Sequence, residues 1–95
     1  MMVLDWSARA LRDMREIEDY WRPRDPGLVR DLALYTDQAL DFLLGTPGAG
    51  PPSGATGLRR WRIGPTPFLL LYRVHGDRLK VVRVRHQRRD WRRPH

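Results

Sequence analysis

The chain has 95 residues, of which 41% are hydrophobic and none is cysteine, and its formal net charge is +7 at pH 7. This length suits one domain over residues 1–95 with a single core, while the lack of cysteine excludes disulfides and thiolate metal sites and suits the reducing cytoplasm. No run approaches the roughly 20 apolar residues of a membrane span, and the first ten residues lack a secretory pattern, so we expect a soluble, cytoplasmic protein with no membrane partner.

The positive charge is concentrated in the second part of the chain. Residues 1–57 carry six arginines and nine acidic residues, net −3, whereas residues 58–95 carry twelve basic and two acidic residues, net +10. A cationic segment of this density predicts an anionic partner, which from charge alone could be nucleic acid, an acidic protein segment or an anionic membrane surface.

The first predicted elements are a short strand and a helix. Val3 and Leu4 could form an opening strand. Ser7 is a suitable N-cap, because its hydroxyl can accept a hydrogen bond from a first-turn N–H. Apolar residues then recur at helical spacing, with Asp13 and other charged residues assigned to the opposite face. This pattern predicts a helix from about Ala8 to about Trp21.

A second helix follows two prolines. Pro23 and Pro26 stop the first helix and restart the chain, Asp25 can act as an N-cap, and Pro26 can occupy the first helical position. Apolar residues at spacings of three and four predict a helix from Pro26 to about Leu44, ending at Gly45. The two helices would form an antiparallel hairpin, and their apolar stripes need a sheet or a partner to cover them.

Strands are predicted in the remainder of the chain. Residues 46–57 are mostly glycine, proline and small residues, which indicates a mobile or extended loop. Residues 58–63 alternate apolar and basic side chains as in a half-buried strand, and residues 64–67 turn the chain into a hairpin that begins at Phe68. This order predicts an α+β fold (β-α-α-β-β-β), with a two-helix antiparallel hairpin packed on a small, mainly antiparallel sheet.

The predicted hairpin leaves its turn open and separates two kinds of side chain. Residues 75–77 could form a two-residue loop with Gly76 at the first central position, or a three-residue loop. Without a bulge, the last strand has two faces: Val82, Val84 and His86 on one, and Arg83 and Arg85 on the other. The alternation therefore predicts that His86 lies apart from these arginines.

Arginines of the second half are the main candidates for binding an anion. The largest group is a basic row formed by Arg83, Arg85, Arg88, Arg89, Arg92 and Arg93. Arg59, Arg60 and Arg62 on the preceding strand could lie beside it. Guanidinium groups at this density could bind phosphates with a steep dependence on salt concentration, or could form a solvated, charged surface.

Few residues suggest acid–base chemistry. His86 could serve as a general acid or base, since its unperturbed pKa of about 6.5 lies near neutral pH, but it shares a face with valines, so a structural role is the simpler interpretation. We expect Asp90 to pair with Arg89 or another nearby arginine, and Tyr72 to belong to the core. The histidines are scattered and no carboxylate pair has a histidine at ligand spacing, so we expect no metal and no cofactor.

The four tryptophans could provide stacking platforms for bases. Trp6, Trp21 and Trp61 fall where the helix and strand patterns predict packing in the core. Trp91, in the basic tail, is the tryptophan that these patterns leave available for binding.

Several stretches, taken together, resemble one protein family. They are WSARALRDMREIEDYW, the second helix from Pro26, the loop that ends in Gly57-Leu58-Arg59, the strand FLLLYRV and the closing VRVRHQRRDW. In this order they resemble the RelE/ParE superfamily of small bacterial toxins from type II toxin–antitoxin modules. The resemblance spans nearly the whole chain.

This resemblance implies both a fold and a partner. It implies a helical hairpin packed on an antiparallel sheet, and a cognate antitoxin whose acidic, amphipathic C-terminal segment wraps the toxin in a hetero-oligomer. The residues expected to bind the antitoxin lie on the helices: Leu11, Met14, Leu28, Leu32 and Tyr35.

Two activities occur in the superfamily. RelE-like members cleave mRNA on the ribosome, whereas ParE-like members poison DNA gyrase and lack the nuclease residues. The ending His86-x-x-Arg89-Asp90 resembles the ParE branch, and the RelE-type lysines have no counterpart because Lys80 is the sole lysine. The first hypothesis is therefore a gyrase poison without catalysis of its own. The alternatives are a ribosome-dependent endoribonuclease and a plain nucleic-acid-binding module.

Each of the first two hypotheses assigns its own residues. For the gyrase target, the expected surface is Arg59, Arg83, Arg85, Arg88, Arg89 and Trp91. For RNA cleavage, charge at the reacting phosphate would be stabilised by Arg59 and by Arg83 or Arg85, and a proton would be moved by His86 or Tyr72.

Overall fold

This computed structural model describes residues 1–88, which contain two helices and four strands. In chain order these are β1 (Val3–Trp6), α1 (Ala8–Trp21), α2 (Pro26–Gly45), β2 (Arg59–Arg62), β3 (Phe68–His75) and β4 (Arg78–His86). The strands form one sheet in the order β1-β4-β3-β2, in which β1 runs parallel to β4 and the other neighbours are antiparallel. The predicted α+β fold is confirmed.

Both helices begin at the predicted caps. The Ser7 hydroxyl accepts a hydrogen bond from the Ala10 N–H at 2.9 Å, and the Asp25 carboxylate accepts one from the Leu28 N–H at 3.0 Å. Each cap satisfies a first-turn donor that no helical carbonyl can reach. Pro26 occupies the first turn of α2, where it requires no acceptor.

The helices and one face of the sheet enclose a hydrophobic core. Its largest fully buried side chains are Tyr72, Phe68, Leu32, Leu43, Ile63, Leu70, Leu79 and Val81. Trp6, Trp21 and Trp61 are half-buried and pack against this core, as the pattern predicts. Within residues 1–88, no helix is both long enough and apolar enough to cross a membrane.

The hairpin between β3 and β4 closes through the two-residue turn Gly76-Asp77. His75 pairs with Arg78, which excludes the three-residue alternative. Gly76 has a φ of 60°, and no non-glycine residue of the described chain, Asp77 included, has a positive φ. Glycine at the first central position with this geometry is typical of a type II′ turn, whose twist matches that of the flanking strands.

A β-bulge at Val82 interrupts β4. Leu71 lies opposite Arg83, and the next residue of β3, Tyr72, lies opposite Val81. Val82 is therefore an additional residue without a partner on β3. The strict alternation assumed from the sequence fails at this point.

Beyond the bulge the predicted faces are present. Val84 is buried and His86 lies opposite Phe68, so both are on the core side, whereas Arg85 is exposed on the other side. The His86 ring packs edge-on against the Phe68 ring, with 5.1 Å between centroids. Val82 is the exception: the bulge displaces it from the face of Val84, and it is half-buried.

The cap and first turns of α1 complete the edge of β4. β1 pairs only with residues 78–81 of β4. Past that point the Ser7 hydroxyl donates a hydrogen bond to the Val82 carbonyl at 2.8 Å, and the Asp13 carboxylate accepts one from the Val84 N–H at 3.1 Å. Strand β1 is too short to reach these backbone groups at the edge of β4, and they are paired instead with α1 and its cap.

The loop of residues 46–57 contains turns and bends, and its middle part runs alongside β2. Pro52 forms a bridge with Arg59. The Gly50 N–H donates to the Tyr72 hydroxyl at 2.9 Å, and that hydroxyl donates to the Pro47 carbonyl at 2.8 Å. A side chain at position 50 would collide with the Tyr72 ring, so this close approach requires glycine.

Candidate functional site

The face of the sheet that turns away from the helices carries a dense positive charge. Residues directly opposite each other on neighbouring strands project to the same face. The register of the described strands gathers there Arg60, Arg62, Arg73, Arg78, Lys80, Arg83 and Arg85. We call these seven residues the cationic face.

Leu69 and Leu71 lie at the centre of the cationic face, where Leu69 is half-buried and Leu71 is buried. Each lies on β3 between two arginines of the neighbouring strands. Within the described strands, the register adds one acidic residue to this face, Asp5, which lies opposite Lys80. Rows of cations on neighbouring strands suit an acidic protein segment or a strand of nucleic acid, because both present anions at short intervals.

Arg83 is the member of the cationic face that forms an ion pair within the described part of the chain. Its Nε donates to Asp13 Oδ2 at 2.7 Å and its Nη2 donates to Asp13 Oδ1 at 3.3 Å. This hydrogen bonding raises the pKa of Arg83 above its ordinary value, against the opposing effect of partial burial. A two-point contact with a buried carboxylate holds the guanidinium towards α1, so Arg83 presents little of its charge to a partner.

Arg59 does not belong to the cationic face. It lies opposite Tyr72, on the helix side of the sheet. Its Nη1 donates to the Gly50 carbonyl at 2.7 Å and to the Gly48 carbonyl at 3.3 Å. These bonds tie the Arg59 side chain to the loop, and its assignment to a target or to a phosphate stays a prediction.

Tyr72 is fully buried, and its hydroxyl both donates and accepts within the loop. Tyr72 is thus a core residue, as the pattern predicts, and its conditional role in proton transfer stays a prediction. His86, the other proton-transfer candidate, lies on the core side and its Nδ1 accepts from the Arg88 N–H at 2.9 Å. The histidine that the register does place on the cationic face is His75, opposite Arg78 at the turn.

Arg85 and Arg88 are exposed, as a target-binding surface requires. Arg85 lies opposite Leu69 on the cationic face, and Arg88 follows the end of β4. The remaining candidates of the basic tail lie outside the described residues: Arg89, Asp90, Trp91, Arg92 and Arg93. Their roles stay predictions.

The residues expected to bind an antitoxin differ in their exposure. Leu11 is 47% exposed, whereas Met14, Leu28 and Tyr35 are half-buried and pack against the core. Leu32 is 1% exposed and belongs to the hydrophobic core, and its assignment stays a prediction.

Asp13 is the main residue that sequence reasoning missed. It is 7% exposed, although the charge pattern assigned it to the solvent face. The signal that could have identified it is its spacing, because it follows the buried Ala10 by three residues and precedes the buried Ile17 by four. A charged residue in an apolar stripe requires a partner, and Arg83 on β4 provides it.

Comparison with known proteins agrees with this architecture. The model of the ParE toxin family of type II toxin–antitoxin systems, parDE, matches residues 4–91. Toxin RelE2 of Caulobacter vibrioides is 34% identical over 89 residues, which are 94% of this chain and 99% of that protein. Both matches extend over nearly the whole chain.

Solved structures show the same fold. A chain of the chromosomal ParDE TA system from P. aeruginosa is 26% identical, with a TM-score of 0.67 over 90% of this chain and 96% of that one. A chain of the heterotetrameric YoeB-YefM toxin–antitoxin complex from Staphylococcus aureus is 17% identical, with a TM-score of 0.58 over 90% of this chain and 97% of that one. The second likeness concerns the fold alone. The fold, the length of the match and the identity to these toxins establish that this chain belongs to the ParE toxin family, within the RelE/ParE superfamily of type II toxin–antitoxin toxins.

Proposed function

We propose that this chain inhibits bacterial growth by binding and poisoning DNA gyrase, and that a cognate antitoxin neutralises it in the cytoplasm. The family match to ParE toxins supports the target. The relative from P. aeruginosa comes from a ParDE toxin–antitoxin system, which supports an antitoxin as the partner in a hetero-oligomer.

The observation that carries the proposal is the dispersal of the candidate nuclease groups. General acid–base cleavage requires proton-transfer groups and charge-stabilising groups within hydrogen-bonding reach of the same phosphate. Here the Tyr72 hydroxyl is buried, and Arg59 on the same side of the sheet bonds to loop carbonyls. His86 lies on the opposite side of the sheet from Arg85. Among residues 1–88 the cationic face offers charge for binding rather than an assembled acid–base pair, and this favours a toxin that acts by binding.

A supercoiling assay tests the proposal. Purified gyrase, relaxed plasmid and ATP are incubated with increasing amounts of the full chain, and the expected result is loss of supercoiling with accumulation of cleaved plasmid. Addition of the antitoxin, the protein encoded by the adjoining reading frame, should restore supercoiling. Unchanged supercoiling at concentrations that stop growth in cells would contradict a gyrase target.

The second candidate function is ribosome-dependent mRNA cleavage. The observation that favours this second function is the 34% identity to toxin RelE2. Primer extension on translated mRNA after induction of the chain should show no discrete cuts if gyrase is the target. Discrete cuts that His86→Ala abolishes would support the endoribonuclease instead.

A further inference from the structure

The charge of the cationic face is largely uncompensated. Asp5, the acidic residue that the register places on this face, is half-buried. Exposed cations at high density attract a polyanion. Six of the seven cations form no ion pair within residues 1–88, and all six are exposed: Arg60, Arg62, Arg73, Arg78, Lys80 and Arg85.

Two of these arginines are held in place by the fold. The Arg62 Nε donates to the Thr66 carbonyl at 2.9 Å, and the Arg60 Nη1 donates to the Pro52 carbonyl at 2.9 Å. Each guanidinium keeps further N–H donors for a ligand. Because these side chains are already fixed at one point, they lose less conformational entropy when an anion binds.

The six exposed cations cover a broad area rather than a single line. Two lie on β2, one on β3 and three on β4. Strand spacing separates β2 from β4 by about 10 Å, and the cations of β4 extend over about 20 Å. Duplex DNA carries one negative charge per about 1.7 Å of its axis, divided between two strands. An area of this size can therefore contact several phosphates of both strands.

The cationic face has no phenylalanine, tyrosine or tryptophan within the described strands. The register places the four such residues of these strands on the helix side: Trp6, Trp61, Phe68 and Tyr72. Proteins that bind single-stranded nucleic acid use aromatic side chains as stacking platforms for unpaired bases. A duplex keeps its bases stacked and presents its phosphates, so a cationic face without aromatic rings favours a duplex.

The width of the sheet favours contact with phosphates over contact with bases. Bases of a DNA duplex are read mainly by a helix or a two-stranded ribbon that enters the major groove, which is about 12 Å wide. The four strands together span about 15 Å before side chains are added. Contacts with the backbone carry no sequence information of their own, so binding by this face should not depend on the base sequence.

The helices carry the opposite charge. Together α1 and α2 contain seven acidic residues and four arginines, net −3. The molecule thus has a negative helical side and a positive sheet side. This polarity orients the sheet, rather than the helices, towards a polyanion.

We propose that the cationic face binds the phosphates of duplex DNA directly and without sequence preference. The binding requires no other protein. Since gyrase acts on duplex DNA, it would also bring the chain to the DNA on which the enzyme works; this consequence alone rests on the proposed function.

The test measures binding of the full chain to fluorescent DNA by anisotropy, in the absence of gyrase. Duplexes of two unrelated sequences should bind equally, and a single strand of the same length should bind more weakly. The logarithm of the affinity should fall with the logarithm of the salt concentration with a slope of about −5, because six phosphate contacts each contribute about −0.9.

Two double variants with the same net charge locate the binding surface. Arg73→Gln/Arg85→Gln should reduce the magnitude of the salt slope by about 2, because each substitution removes one phosphate contact. Arg22→Gln/Arg30→Gln removes the same charge from exposed positions of the helical hairpin and should keep the wild-type slope. Thermal unfolding by circular dichroism confirms that each variant is folded.

A variant with a gain of affinity separates binding from misfolding, which would lower affinity. Asp5→Asn removes the acidic group from the cationic face and should tighten binding to the duplex. Asp37→Asn makes the same change of charge at an exposed position of α2 and should bind like the wild type.

Three results would overturn the inference. They are a lack of binding to the duplex even at low salt, an equal loss of slope in the two double variants, and tighter binding to the single strand than to the duplex. The gyrase assay is independent of all three. A chain that binds no DNA and still blocks supercoiling leaves the gyrase proposal standing, whereas a chain that binds DNA and leaves supercoiling unchanged contradicts only that proposal.

Discussion

At the scale of single residues, Asp13 links the first helix to the last strand. Its carboxylate receives three hydrogen bonds, two from the Arg83 guanidinium and one from the Val84 N–H. A buried carboxylate is tolerated only when it is paired and hydrogen-bonded. The same contact accounts for the buried position of Asp13 and for the inward direction of Arg83.

Asp13→Asn should destabilise the fold by about 1–3 kcal/mol, because the shape is kept while the charge and part of the accepting capacity are lost. Urea unfolding followed by circular dichroism measures the difference. Asp19→Asn is the matched control, since the Asp19 side chain is 79% exposed and its ion pair with Arg22 spans 3.6 Å; it should change stability by less than about 0.5 kcal/mol. Equal effects of the two variants would show that Asp13 has no special role.

Tyr72→Phe should destabilise the loop of residues 46–57. The variant leaves the buried Gly50 N–H without its acceptor, at a cost of about 1–3 kcal/mol. We expect faster amide exchange at Gly50 and its neighbours than in the helices, as measured by hydrogen–deuterium exchange. Tyr35→Phe, which removes the hydroxyl of a half-buried tyrosine, should leave exchange in this loop unchanged; similar acceleration in both variants would contradict the prediction.

At the scale of elements, the short β1 and the start of α1 act together on β4. β1 covers the first part of the β4 edge, and Ser7 begins α1 while it binds the bulged segment. Free strand edges invite pairing with other chains. The cap of α1 therefore has two functions, one for the helix and one for the sheet.

Ser7→Ala should cost more stability than Asp25→Ala. The Ser7 hydroxyl accepts from the Ala10 N–H and donates to the Val82 carbonyl, whereas the Asp25 cap accepts one bond at an exposed site. We expect a loss of about 1–2 kcal/mol for Ser7→Ala and a smaller loss for Asp25→Ala. Thermal unfolding of both variants checks the order, and a larger loss for Asp25→Ala would disprove the double role of Ser7.

At the scale of the whole molecule, the sheet separates two surfaces with different properties. One side carries the cationic face, and the other is covered by the helices. If the target and the antitoxin bind different surfaces, a substitution on one surface should weaken one interaction and leave the other unchanged.

Arg85→Glu should weaken inhibition of gyrase by at least about tenfold, because it reverses an exposed charge in the cationic face. The supercoiling assay, repeated over a range of salt concentrations, measures the change. Arg22→Glu is the control, since it makes the same change of charge between the two helices, away from the sheet. An equal loss for both variants would mean that total charge, rather than the cationic face, governs inhibition.

Local patterns in the sequence by themselves determined the elements and their order. Helical spacing, the caps at Ser7 and Asp25, and Gly76 at the turn all act within a few residues, so each could be read without knowledge of the fold. The alternation of side chains along the last strand likewise predicted that His86 and Arg85 lie on opposite faces of the sheet. The family resemblance came from the succession of these same local features.

Tertiary structure alone decided the site. Asp13 meets Arg83 across 70 positions of sequence, and Tyr72 meets Gly50 across 22. No periodic pattern carries such pairings, because each depends on which strands become neighbours and on where β4 acquires its bulge. For the same reason Arg59 and Arg85, similar in sequence context, have different surroundings: Arg59 bonds to the loop of residues 46–57, and Arg85 is exposed on the cationic face.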